Sequence, residues 1–208
     1  MIRDIGKAVI QWSWKTVAQV GGIVLGFFIV PVGLLFRKTD KSISVKFKYG
    51  NGNWNPVHLP EILQPWDNLE DGFMGDTEGR YWNRDSNIKS EYLKMLNWGT
   101  FRNPFNNFKR YKIGVDVRNY VFTKLAGQDY VRDDFNNTGW QFLKGTNKGH
   151  GSDTYGFYLV YRYGKSNRAL VVQLGNKIKL SHNTEVETDW FDYYKGFTME
   201  INPFKDIS

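Results

Sequence analysis

Among the side chains able to do chemistry, the acidic run PWDNLEDGFMGDTEGRYWN at 65–83 comes closest to a ligand set. Laid on a twelve-residue calcium loop, Asp67 takes position 1, Asp71 position 5, Gly72 the turn-making position 6 and Glu78 the bidentate position 12. Leu69 stands at position 3, where an oxygen is required, and Gly75 at position 9 could act only through water. Pro60 and Pro65 also break the helix that should lead into such a loop. An acidic surface loop is the stronger expectation, facing the basic stretch beyond it. Residues 61–80 hold six acids and one base, whereas residues 81–112 hold seven bases and two acids.

The other constellations are weaker. His150-Gly-Ser152-Asp153 contains the residue types of a catalytic triad, but neighbours in a glycine loop cannot reach the relay geometry. Gly164-Lys165-Ser166 matches the end of a phosphate-binding loop, yet Leu159 occupies the position of its first glycine. That segment also follows a strand pattern without opening a helix. KGTNKGHG at 144–151 is flexible and basic but fits no phosphate fingerprint. His58, His150 and His182 are too dispersed for metal-ligand spacing. Glu185, Glu187, Asp189 and Asp192 supply carboxylates whose pairing the sequence does not fix. The absence of cysteine excludes disulfides, zinc–thiolate sites and thiol catalysis. The expectation is a protein that is not an enzyme, with no cofactor.

The elements that carry these residues begin with a membrane segment. Residues 17–36, VAQVGGIVLGFFIVPVGLLF, form a twenty-residue run without charge, about 30 Å long as a helix and matched to a bilayer's hydrocarbon core. The span runs from Val17 to Phe36 and contains Gly22, Gly26 and a kinking Pro31. Trp12 and Trp14 precede it at headgroup level, and Arg37-Lys38 stop it. The run is too long for a signal peptide and lacks a small-x-small cleavage site, so an uncleaved anchor over residues 1–41 is expected. Gly22-x-x-x-Gly26 is a spacing that lets two helices approach closely, so self-association through that face is one expectation.

Charge supports the membrane before nucleic acid. Of the net +7, residues 1–48 carry eight bases against two acids, leaving 20 bases against 19 acids in the remainder. The excess flanks the apolar run instead of coating a domain, and nucleic acid is not an expected partner. Arg37, Lys38, Lys41, Lys46 and Lys48 follow the span, which favours a cytoplasmic C-terminal domain.

Residues 42–208 read as one soluble α+β domain, with aromatics at 17% of the chain to build its core. A strand around Ile43, Val45, Phe47 and Tyr49 leads to a turn at Gly50–Asn53, and residues 59–83 form a long connector. Ser90 caps a helix running to about Trp98. A second helix is predicted with Asn103 as N-cap and Pro104 at its first position. Its Phe101, Phe105 and Phe108 share one face, beside Arg102, Lys109, Arg110 and Lys112, so it suits packing, an anionic membrane surface or a partner. YGFYLVYRY and RALVVQLGNKIKL, joined by a Gly/Ser/Asn turn, predict an antiparallel hairpin, and FTMEINPF at 197–204 a closing strand.

Several of these residues together resemble a family of tailed-bacteriophage proteins with one membrane helix and no assigned activity. They are Val30-Pro31-Val32 and Leu34-Leu35-Phe36 closing the span, Trp66-Asp67-Asn68, an aromatic ahead of Arg102-Asn103-Pro104-x-Asn106, and Pro203-Phe204-Lys205. The resemblance implies a bacteriophage origin and a place at the host inner membrane or in the virion. It brings no catalytic residues and no cofactor. The reading that results is a single-span membrane protein binding a host or phage protein or the membrane surface at the host inner membrane. The alternative is a minor virion component acting in assembly or genome delivery.

Overall fold

In the computed structural model the described residues are 1–42, 45–46, 53–68, 72–73, 90–134, 136–180 and 193–207, with 45–46 and 53–54 described for their backbone alone. The fold is α+β: a long N-terminal apolar helix, then short helical turns and antiparallel sheets. The chain divides into two compact units, residues 1–17 with 109–208 and residues 18–108. The helix expected to stand apart as an anchor over 1–41 therefore contributes to both.

That helix, α1, spans Ile2–Leu35 and is long and apolar enough to cross a membrane. It begins with Asp4 in its first turn, 3.2 Å from the terminal ammonium, where a carboxylate also complements the helix dipole. Pro31 lies inside it and lacks a backbone donor, so one intrahelical bond is missing there. At the other end the Arg37 guanidinium donates to the Leu34 carbonyl at 3.0 Å and satisfies one of the unpaired last-turn acceptors.

In the unit of residues 18–108, β1 (Lys38–Thr39) pairs antiparallel with β4 (Val57–His58), and β2 (Val45–Lys46) with β3 (Asn53–Trp54). A 3₁₀ turn at Glu61–Trp66 and α2 at Glu91–Asn97 follow. The Ser90 side chain accepts from the Leu93 amide, as the predicted cap requires. Val30 and Leu34 of α1 join Val57, Leu59, Phe73, Met95 and Trp98 in one buried cluster. Gly72 sits at φ +63° with its α-carbon so near the Val57 backbone that a side chain there would strike it at 2.5 Å.

The predicted second helix starts later than expected, with helical backbone at 106–107 running on into 108–112. After α2 the chain widens into a π turn at Trp98–Arg102, Phe105 adopts φ +54°, and a second π turn runs over Phe108–Lys112. A bulky residue in the left-handed region stops a helix from starting at Pro104.

The other unit is built on a five-stranded antiparallel sheet in the order β11-β9-β8-β7-β6: β6 Tyr120–Gly127, β7 Gly139–Asn147, β8 Asp153–Arg162, β9 Arg168–Asn176 and β11 Phe197–Asp206. The predicted hairpin is β8–β9, turned by Gly164 at φ +57°, and the closing strand is β11 on β9. A small pair, β5 (Val115–Asp116) with β10 (Tyr194–Lys195), completes the set. One sheet face packs into two clusters, around Tyr158, Val160 and Val171 and around Leu143, Ile178 and Leu180. Among the described residues the opposite face is covered at one end only, where Ala8 and Trp12 of α1 meet Phe142 and Tyr155.

Candidate functional site

Within residues 18–35 the residues of α1 that the fold buries recur every three or four positions: Gly22, Gly26, Val30 and then Gly33 with Leu34; nearer the N-terminus Ala8 and Lys15 are buried. The stripe is small or polar for most of its length. From Val17 on, the exposed residues of α1 include Val17, Val24, Phe28 and Leu35, with Phe36 just beyond its end, and none is charged; nearer the N-terminus Arg3, Lys7 and Ser13 are exposed too. A surface helix of a soluble protein puts its apolar stripe inward; here the more apolar stripe faces out. Val17 is 73% exposed and Phe36 67%.

Within residues 18–108 the inner stripe is capped by aromatic rings. The Trp66 indole donates to the Gly22 carbonyl at 2.8 Å and lies over Gly26. A β-carbon on Gly22 would meet the Phe105 ring at 2.0 Å. Phe105 in turn packs on Trp66, centroids 5.0 Å apart, and stacks on Phe108 at 4.3 Å. Farther along, the Tyr92 hydroxyl donates to the Pro31 carbonyl at 2.9 Å. The Gly22/Gly26 face, expected as a place for a second helix, is thus filled from within the chain.

What holds the cover down is an asparagine network between two of the sequence segments singled out above. The Asn68 side-chain oxygen accepts from Asn103 at 2.9 Å and from Asn106 at 2.6 Å, while its amide donates to the Gly72 carbonyl at 2.8 Å. Asn107 donates its backbone N–H to the Asp67 carbonyl at 3.2 Å. Asn68, Asn106 and Asn107 are buried, where each unmade bond carries a full desolvation cost. Trp66-Asp67-Asn68 and Asn103-Pro104-Phe105-Asn106 are therefore one structural knot, and no sequence spacing announced it. The Asn-rich composition of RNPFNN was the available signal.

Asp67, placed at the head of the candidate calcium loop, spends its carboxylate inside the protein. It accepts from the Leu59 and Asn68 amides and lies 3.1 Å from His58 Nδ1. Asp71 and Glu78 lie outside the described residues, as do Leu69, Gly75, His182, Glu185, Glu187, Asp189 and Asp192. Among the described residues no group of three or more His, Asp or Glu side chains is placed to hold a metal ion. Asp153 of the triad-like tetrad turns away from His150: it pairs with Lys7 at 3.2 Å and Lys144 at 3.1 Å and accepts from Thr146. Lys165 and Ser166 sit in the exposed β8–β9 turn.

The basic segment divides likewise. Phe105 is buried, Phe108 half-buried, and Arg102 and Lys112 exposed; Lys109 and Arg110 are half-buried. Desolvation, reinforced by Lys177 and Arg110, pushes the Lys109 ammonium down to about 8. Phe101 stays outside, edge-on to Phe27 of α1 at 5.3 Å, so an aromatic pair stands on the outer side of the helix.

In the sheet unit the inner stripe of α1 is polar. Gln11 donates to the Asp153 carbonyl at 2.9 Å, and the Trp12 indole to the Tyr155 carbonyl at 3.2 Å. Lys15, 6% exposed, donates to the Ile113 carbonyl at 2.8 Å and to the Asn176 side-chain oxygen at 3.0 Å. Its ammonium also lies 5.6 Å from the Phe197 ring centroid. Burial pushes this ammonium down to about 8. The sequence marked Lys15 only as a charge near the membrane segment.

No curated protein and no solved structure matches this chain. A family model matches residues 3–208, from the start of α1 to the end of the closing strand, and the chain belongs to that family, DUF7338, a family of unknown function.

Proposed function

We propose that this is a membrane-seated binding protein, and not an enzyme, that lies along the bilayer on the outer stripe of α1. The observation that carries the reading is the inversion of that helix, whose exposed side is more apolar than its buried one. A helix seated in the interface needs only its apolar side immersed, about 5–10 Å deep. A span crossing from Val17 to Phe36 would instead draw Trp66, the buried Asp67 and a 3₁₀ turn to hydrocarbon depth, and irregular backbone is tolerated there only inside protein. The aromatic pair Phe27–Phe101 and the exposed Arg102 and Lys112 suit the headgroup boundary. The resemblance to phage proteins supports a bacterial host's inner membrane as that bilayer, and the basic residues after the span support its cytoplasmic leaflet, with the α+β domain offered to a host or phage protein.

The chain contains no cysteine, so single cysteines report topology cleanly. Arg3→Cys and Lys205→Cys, each in the full chain in sealed inverted vesicles, are expected to react equally with a membrane-impermeant maleimide. Protection of one and labelling of the other would restore the crossing helix. Recovery of the protein from purified virions, and not from membranes of infected cells, would replace the reading with the virion one.

A further inference from the structure

We infer that the sheet face left open among the described residues is a second bilayer contact, an inference that rests on the membrane reading of α1. In register across β7, β8, β9 and β11 run Trp140, Leu159, Val172 and Ile201, one beside the next. Tyr161 extends the row along β8 and Met199 along β11. These six positions carry no charge, and Tyr161 is 61% and Ile201 67% exposed. The next row on the opposite face is Gln141, Tyr158, Gln173 and Glu200, of which Gln141, Tyr158 and Gln173 are buried. An antiparallel sheet with one wet face alternates apolar inward and polar outward. In this sheet the covered face holds Leu143, Val160 and Val171 beside that polar row, and the open face is apolar as well.

The chemistry of the face selects lipid over a protein partner. Its area, four strands at about 4.8 Å and five residues at about 3.3 Å, is on the order of 300 Å². A stable protein interface buries about 800 Å² on each partner, well over twice that. The only polar atoms the row offers are the Trp140 indole and the Tyr161 hydroxyl, both at its margins. Amphipathic rings at the margin of an apolar field are the pattern of a bilayer boundary. Beyond Tyr161 the exposed turn carries Tyr163, Lys165 and Arg168, against one acid, Asp206, opposite Arg168 in register. Such a rim suits anionic headgroups. Within the same unit, Ile2, Val9 and Ile10 of α1 are also exposed.

The test places an environment-sensitive fluorophore on Ile201→Cys, Val24→Cys or Glu200→Cys in the full chain, bound to phosphatidylethanolamine/phosphatidylglycerol vesicles. Some vesicles carry nitroxides on the acyl chains. Labels at 201 and 24 are expected to shift to the blue and to lose at least half their emission to the nitroxides, while the label at 200 keeps its own. Quenching at 24 without quenching at 201 overturns the sheet contact and leaves the helix reading standing. Quenching at neither overturns both. A blue-shifted, unquenched 201 that cross-links to 201 of another copy assigns the face to self-association and overturns the inference.

Discussion

Lys15 illustrates how a single residue stores a cost that chemistry can read. Its ammonium is buried with two neutral oxygens and no carboxylate, so the folded chain releases its proton near pH 8, whereas an unfolded lysine holds it to about 10.5. Between those values the unfolded state binds more protons, and stability rises with pH; below pH 8 the penalty stands in full, about 3 kcal/mol. Both acceptors have other partners, since Thr154 donates to the Asn176 oxygen and Asn176 to the Ile113 carbonyl. Lys15→Met is therefore expected to raise stability at pH 7 by about 1–3 kcal/mol, with the gain fading toward pH 10.5. Denaturant unfolding in mild detergent at the two pH values measures it, and a loss at pH 7 would mean that the two bonds outweigh the desolvation. Asn68 predicts the opposite sign. Asn68→Ala orphans the buried Asn106 donor, the Asn103 donor and the Gly72 carbonyl together, so a loss of about 2–4 kcal/mol is expected in the same assay.

At the scale of elements, the strands were legible because alternation is local. YGFYLVYRY and the run after Arg168 have the period of two that β8 and β9 show, and their turn carries its glycine. Which face stays bare was not legible, since apolar residues occupy both. The helix predicted from Asn103 starts late, at 106, for a physical reason: the Asn103 amide donates to Asn68, 35 positions away, and Phe105 turns left-handed to reach Gly22. A capping rule weighs only neighbours in sequence. The same contact governs the reading of Gly22-x-x-x-Gly26. If the pair served a second helix, Gly22→Val would lower self-association and leave the fold intact. With Phe105 and Trp66 seated there, Gly22→Val should instead cost about 1–3 kcal/mol of stability through overpacking, with the oligomeric state unchanged. Sedimentation beside thermal unfolding separates the two outcomes.

For the whole molecule the question is which force holds it to a membrane, because both candidates are present. The chain carries a net +7, most of it within residues 1–48, and polybasic attraction to anionic lipid contributes about 1 kcal/mol for each cation near the surface. That term collapses once salt shortens the screening length to about 3 Å at 1 M. Apolar immersion does not, and an outward stripe of Val17, Val24, Phe28, Leu35 and Phe36 offers several side chains worth about 1.5–3 kcal/mol each when fully buried. Co-flotation with phosphatidylglycerol vesicles should accordingly weaken between 0.1 and 1 M salt until it matches flotation with phosphatidylcholine vesicles, and then persist. Val24→Lys with Phe28→Lys, which adds charge while removing apolar contact, should abolish the salt-resistant part and spare the part seen at low salt. Complete release of the unaltered chain at 1 M salt would make the attachment electrostatic, and the outward apolar stripe would then need another occupant.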